Sequence, residues 1–243
     1  KATVENQANL HIRQAMVESL VVENGKIAGV LDASGHFYGA QKVVVTTGTF
    51  LNGLVHIGRS QTQSGRAGEL ASVGLANQLA SLGFEMGRMK TGTPPRLKSS
   101  TIDFSVLERQ DSDPDPAPFS FTTSSLRTER LPSYFAATCE QTHRIIRDNI
   151  RQSPLYSGAI KGVGARYCPS LEDKVMRFGE RTSHPVVLEH EGLNTQEVYA
   201  KGLGNSLPLE LQYEIVRSVR GLEQAEIMRP AYAIEYDFVQ PTQ

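Results

Sequence analysis

Apolar and polar positions alternate or run together along this chain in blocks that predict mixed α/β structure. Residues 10–51 read as β. Leu10-His11-Ile12 opens the stretch. The apolar-rich runs at 19–23 and 26–31 flank Asn24-Gly25, a pair that tolerates positive φ and so predicts a tight hairpin. A second turn at 32–35 leads to His36-Phe37-Tyr38, which completes a three-stranded antiparallel meander. Residues 42–51 (KVVVTTGTFL) are continuously apolar and end in small residues. Such a run predicts a strand covered on both faces, as in a parallel sheet. Its end, Thr47-Gly48-Thr49, would let a ligand approach the backbone closely, and ligands of open α/β sheets lie beyond the carboxyl ends of strands.

Further along, Leu75, Leu79 and Leu82 share one face of a predicted helix that Gly83 ends. Residues 90–96 (KTGTPPR) and 110–133 read as loop. Thr142 is placed to cap a helix running to Ile150. A Gly-rich loop at 158–168 leads into a helix start at Pro169-Ser170, with Glu172 and Asp173 in its first turn. Residues 178–193 hold one or two strands. Ser206 caps a helix whose Leu211, Ile215, Val219 and Leu222 point inward, with Gly221 near its end. Residues 226–239 return to a strand.

Composition narrows the function classes. A net charge of −1 over 243 residues excludes a globally basic surface, so any nucleic-acid or membrane patch must be local. Cys139 and Cys168 are too few for a disulfide framework, which fits a reducing compartment. No apolar run reaches the roughly 18 residues that a membrane span needs, and there is no signal peptide. The chain starts at Lys1 without Met and stops at Gln243 soon after an apolar strand, so missing partners are expected on both sides.

The densest chemistry lies at residues 164–174. Cys168 falls at a predicted helix start beside Arg166, where a thiolate is stabilised, with Glu172 and Lys174 close behind. Free helix N–H groups there would also suit a phosphate. A small buried cysteine beside a solvated turn is the competing reading. Cys139, His143 and Cys168 lack the paired Cys-x-x-Cys spacing of a zinc site, so no metal is assigned. Arg59, Arg66, Arg88, Lys90, Arg96 and Lys98 could meet phosphates of a cofactor or of RNA, or form a solvated face. His56, His184 and His190 are acid/base candidates or structural histidines. No G-x-G-x-x-G occurs; Gly162-Val163-Gly164 and Gly202-Leu203-Gly204 lack the third glycine. A phosphate-cradling βα turn therefore lies outside this chain or does not exist.

Longer strings go beyond what spacing can specify. They are Thr47-Gly48-Thr49-Phe50-Leu51-x-Gly53, His56-Ile57-Gly58, Gly65-Arg66-Ala67-Gly68, KTGTPPR at 90–96, Thr101-Ile102-Asp103-Phe104-Ser105 and RYCPSLEDK at 166–174. Arg177-Phe178, Glu191-Gly192-Leu193 and Arg229-Pro230-x-Tyr232-Ala233-Ile234-Glu235-Tyr236-Asp237 complete the set. Together they resemble the MnmG/GidA family across essentially the whole chain. These are the large flavoprotein subunits of the bacterial enzyme that installs carboxymethylaminomethyl groups on tRNA wobble uridine.

The resemblance implies an α/β fold: part of a glutathione-reductase-like FAD domain with an inserted NADH-binding domain. It divides the chain into an FAD portion at 1–95, the insertion at 96–195 and a return segment at 196–243. Val17 at the adenine edge, Thr47, Gly48 and Ser72 are the implied FAD residues. The implied NADH stretch is Gly164-Ala165-Arg166-Tyr167-Cys168-Pro169-Ser170-Leu171-Glu172-Asp173-Lys174-Val175-Met176-Arg177-Phe178. Cys168 is similar to one of the family's two functionally important cysteines, and the other falls outside this chain. Implied partners are tRNA, the GTPase subunit MnmE and a second copy of the full-length protein, in the cytoplasm and away from membranes. Gly202-Leu203-Gly204-Asn205-Ser206 departs from the family's more Ser/Thr-rich string. A small-molecule NADH-dependent flavin oxidoreductase and a tRNA-binding scaffold without redox work remain alternatives.

Overall fold

The computed structural model describes residues 1–126, 129–164 and 169–242. In chain order the first elements are α1 (Ala2–Glu5), β1 (Val17–Glu23), β2 (Lys26–Asp32), β3 (Phe37–Gly39), β4 (Leu54–Ile57), β5 (Ser60–Gln63) and α2 (Val73–Ser81). Next come β6 (Met86–Thr93), β7 (Arg96–Lys98), β8 (Glu108–Gln110), β9 (Ser133–Ala137) and α3 (Glu140–Asn149). The remainder are β10 (Val163–Gly164), α4 (Leu171–Arg177), β11 (Pro185–His190), β12 (Glu197–Lys201), α5 (Leu209–Arg217), β13 (Ile227–Arg229) and β14 (Tyr232–Val239). Two compact units result. One comprises Lys1–Gly53, Gln63–Gly87 and Tyr236–Gln243, the other Leu54–Thr62 and Arg88–Glu235.

In the first unit β1, β2 and β3 form the expected meander, with Glu23 opposite Lys26. Asn24 and Gly25 sit at φ 51° and 73°, which is the backbone a two-residue primed turn demands. α2 buries Leu75, Ala76 and Leu79 with Leu51 in a small core. Leu82 stays exposed, and Gly83 at φ 94° ends the helix. Ser72 holds the N-cap position without capping through its own side chain. The Glu18 carboxylate of β1 does the job instead, accepting from Gly74 N at 2.8 Å, where negative charge also complements the helix dipole.

Two expectations fail here. Residues 10–12 form no strand, and neither do residues 42–49; Val44 is 85% exposed. A strand exists only through its neighbours' hydrogen bonds. No strand of the described residues pairs with 42–49, so the apolar run forms no ladder and closes into a turn at Gly48-Thr49.

The second unit holds a sheet of order β10-β6-β14-β4-β5 and an antiparallel sheet of order β13-β7-β12-β11-β9-β8. Val186 and Leu188 of β11, Val198 and Ala200 of β12, and Leu97 of β7 pack with Ile146 of α3, Leu171 and Val175 of α4, and Ile215 and Val216 of α5. The period-2 spacing on the strands delivers one apolar face to the helices.

Four local expectations are corrected here. Residues 90–93 are strand, not loop, because β6 lies between β10 and β14, and pairing on both edges overrides a Lys/Gly/Thr-rich composition. Cys139, not Thr142, is the N-cap of α3, and Thr142 Oγ1 accepts from Cys139 N at 3.1 Å. Pro208, not Ser206, stands at the N-cap of α5. Residues 226–239 carry two strands, β13 and β14, split by Pro230, which has no N–H to donate to a ladder.

Candidate functional site

In the first unit the four expected FAD residues fall in one hydrogen-bonded neighbourhood. Phe50 N donates to Thr47 O at 3.0 Å and closes a turn with Gly48 at φ 54°. Ser72 N donates to Phe50 O, and Asn52 N donates to Ser72 O, so Leu51 and Ser72 bridge in parallel. Ser72 Oγ then donates to Val17 O at 2.7 Å. A Cβ on Gly48 would meet nothing within 4 Å, so the turn leaves open space. A cavity of about 390 Å³ opens beside it, lined by Thr47, Gly48 and the apolar side chains of Val45, Leu51, Leu79 and Phe84. An open glycine turn against an apolar wall fits the flat face of an aromatic ring system. Gly53, behind the turn, has no such space: a Cβ there would lie 2.5 Å from Ser64 O and Thr49 O.

In the second unit the expected NADH stretch divides by helix geometry. Ala165, Arg166, Tyr167 and Cys168 lie outside the described residues. Gly164 is exposed in β10. Ser170 caps α4, its Oγ accepting from Asp173 N. Leu171, Glu172 and Val175 face the interior. The Glu172 carboxylate, fully buried, accepts from Ser153 Oγ at 2.9 Å, Ser206 Oγ at 2.6 Å and Ser206 N at 3.1 Å. Asp173 accepts from Tyr156 OH at 3.2 Å; burial first, and then that carboxylate, push the phenol up to about 12. Met176 and Phe178 are exposed, and Arg177 lies 3.6 Å from Asp173. Pro169, Ser170 and Lys174 line a cavity of about 270 Å³ with residues of β6, β12 and β14. These three are the residues of the stretch that fit a phosphate-bearing ligand, through one free hydroxyl proton and one ammonium.

The basic residues do not form one face: Arg59 and Arg66 are exposed, Arg88, Arg96 and Lys98 partly buried, and Lys90 buried. Arg66 pairs with Glu69, Lys98 with Glu226 at 3.0 Å, and Arg96 with Glu191 at 2.6 Å while stacking 4.5 Å over Tyr199. Arg88 lies 3.9 Å from Glu235. Arg59 is exposed, and Lys90 is buried in the cavity wall.

The histidines are built into the interior. His56 Nε2 lies 2.8 Å from Glu235, whose other oxygen accepts from Lys161 N and Gly162 N. The carboxylate accepts, so the His56 proton sits on Nε2. His143 meets Thr138 Oγ1 at 2.8 Å, and its ring lies 5.2 Å from that of His184. His190 packs against Phe104. Burial holds the pKa of His56, His143 and His184 below the usual value near 6.5. Between the folded values and 6.5 the unfolded chain therefore holds more protons, and stability falls as pH falls. Glu235 adds to this lower down. Burial raises its pKa, but bonds from Gly162 N, Lys161 N and His56 outweigh burial and hold it below 4.5, so its contribution is lost as pH falls through the folded value. We expect the melting temperature to drop between pH 7 and about pH 5, and His184→Gln to flatten that slope. Equal slopes for variant and parent would refute the assignment.

Cys139 is half-buried at the start of α3, its Sγ 3.3 Å from Ser218 O. Burial pushes this thiol up, but hydrogen bonds from Thr142 and from the backbone N–H groups of Thr142 and Gln141 carry the net shift downward. Sequence reasoning offered Lys90 as a phosphate contact but not as a buried residue, and missed Glu172 and Glu235 as buried hubs, because the strand pairing and helix turn that bury them are not local to those runs.

Among the described residues no helix is long and apolar enough to cross a membrane. Comparison with known proteins adds the following. The family model described as "Glucose inhibited division protein A" matches residues 1–243. The tRNA uridine 5-carboxymethylaminomethyl modification enzyme MnmG of Syntrophobacter fumaroxidans is 57% identical over 243 residues, all of this chain and 38% of that relative. The enzyme of the same name from Thermodesulfovibrio yellowstonii is 54% identical over 240 residues, covering 99% of this chain and 38% of its own. A solved GidA structure from Aquifex aeolicus superposes with a TM-score of 0.90 at 46% identity, covering 99% of this chain and 41% of that one. The chain thus spans about two fifths of the proteins it matches and shares their mixed α/β fold over its whole length. With the family model matching every residue, the chain belongs to the glucose-inhibited division protein A (GidA, MnmG) family.

Proposed function

We propose that this chain is the central part of an enzyme that installs the carboxymethylaminomethyl group at C5 of wobble uridine in tRNA. The enzyme uses FAD and NADH, acts with the GTPase subunit MnmE, and works as a homodimer in the cytoplasm. One observation carries the reading: whole-chain identity above 50% to relatives that bear the name of that activity. Residues 1–95 and 196–243 serve the FAD domain and 96–195 the NADH domain, a division by cofactor rather than by compact unit.

Bound flavin supplies the redox capacity, with NADH as its reductant. The chain's own residues position the reactants. Thr47 and Gly48 form a surface that a ring can approach closely, and Ser72 and Val17 fix the backbone behind it. Pro169, Ser170 and Lys174 receive the phosphate-bearing side of the reductant. Leu171, Glu172 and Val175 hold the same stretch from inside. Cys168 acts as the nucleophile or as the group that orients it.

The test is the visible spectrum of the purified full-length protein before and after anaerobic NADH, followed by modification of tRNA with the GTPase partner present. A flavin band that NADH bleaches, together with modified wobble uridine, is the expected result. Bleaching without tRNA modification would instead indicate an oxidoreductase acting on small molecules. A colourless protein that still binds tRNA would indicate a scaffold.

A further inference from the structure

We propose that the cavity walled by Lys90 binds the oxyanion group, phosphate or carboxylate, of a small ligand, and that Lys90 is the residue that recognises it. Lys90 lies on β6, a strand with neighbours on both edges, and is 3% exposed. Its ammonium makes no hydrogen bond or ion pair among the described residues, unlike Arg66, Arg88, Arg96 and Lys98, each of which has a carboxylate. A buried unpaired ammonium is costly to fold around, so its retention needs a partner that the described residues do not provide.

The rest of the cavity points to the same chemistry. Among the described residues no Asp or Glu lines it, while two further lysines, Lys174 and Lys201, do. Lys174 has no carboxylate partner among the described residues. Lys201 reaches Glu189 only at 3.5 Å, with its side chain 64% exposed. Ser170 accepts through Oγ from Asp173 N, which leaves its O–H free to donate into the cavity. Compact, freely rotating ammonium groups suit a tetrahedral or carboxylate oxyanion of one or two charges. The volume, about 270 Å³, lies below the roughly 300–1,000 Å³ of sites for drug-sized ligands, so it takes a small molecule or the anion-bearing part of a larger ligand. Lys90 and Lys201 lie outside the 164–178 stretch; the inference shares Pro169, Ser170 and Lys174 with the proposed reductant site and in that respect rests on it, but not on the flavin or tRNA reading.

The test uses the full-length protein and two probe series, inorganic phosphate and short monocarboxylates from acetate to butyrate, followed by titration calorimetry and by the shift in melting temperature. One series is expected to bind and to raise the melting temperature, and the binding series names the ligand's anionic group. Lys90→Met is expected to weaken that binding about ten- to a hundredfold. It should also raise the melting temperature of the ligand-free protein, because the variant removes a buried charge. Binding by neither series, or equal affinity in Lys90→Met, overturns the proposal. Should Lys90→Met fail to fold, Lys174→Gln decides: weakened binding supports the site, and unchanged binding overturns it.

Discussion

Replacing Glu172 with alanine is expected to cost about 3–5 kcal/mol, more than any single surface change in this chain. Three donors converge on that carboxylate: the hydroxyls of Ser153 and Ser206 and the amide of Ser206. Alanine would leave all three unpaired in a region that excludes water, and would open a cavity beneath α4. Glu172→Gln keeps one carbonyl oxygen at the point of convergence, so its cost is about 1–2 kcal/mol. Native-state hydrogen exchange of the α4 amides and of Ser206 measures both. The hub assignment is wrong if alanine and glutamine variants exchange at the same rate. The two substitutions also separate charge from packing, because glutamine preserves volume.

The second large effect concerns the cysteines. Cys168→Ser is expected to lower tRNA modification by the full-length enzyme on the order of a hundredfold or more, with flavin content and melting temperature unchanged. Cys139→Ser should leave modification within about twofold. The reason lies in the fold: Cys139 is the N-cap of α3, and serine is a preferred residue at that position, so the hydroxyl takes over the cap. A modification rate near the parent's in Cys168→Ser, with folding intact, would make the thiol structural and leave Arg166 and Lys174 as the working residues of the string. Alkylation adds an independent measure. Cys139 should react, because its thiol is only half-buried and shifted toward the thiolate, so reactivity alone cannot single out Cys168.

How much of this was legible in the sequence depended on how local each cause is. The hairpin at Asn24-Gly25 was readable, since two adjacent residues carry the whole requirement for positive φ. So was α2, whose Leu75 and Leu79 recur at helical spacing and whose Gly83 marks the stop. Lys90 to Thr93 was not, because nothing within that run reveals that strands beginning at residues 163 and 232 flank it. The 164–178 stretch was readable as a string but not as a surface. Only the helix turn decides that Ser170 and Lys174 face a cavity while Leu171, Glu172 and Val175 turn inward. Ser206 illustrates the same limit. As a residue type it suits a helix cap, yet its hydroxyl donates to a carboxylate 34 positions away. Cofactor contacts rested on resemblance throughout, since pattern and spacing alone could supply no pyrophosphate fingerprint.

The unpaired valines at 43–45 have a practical side. A run suited to the middle of a sheet, left unpaired and with Val44 largely in solvent, is a template onto which any free strand edge can add. Its neighbour Lys42 is the sort of charged gatekeeper that discourages such stacking, but it guards only one end. In this chain, Val44 is thus one exposed apolar position at which an added strand could pair, beside others such as Leu70, Phe119 and Phe121. Val44 can be changed on its solvent-facing side without touching either cavity.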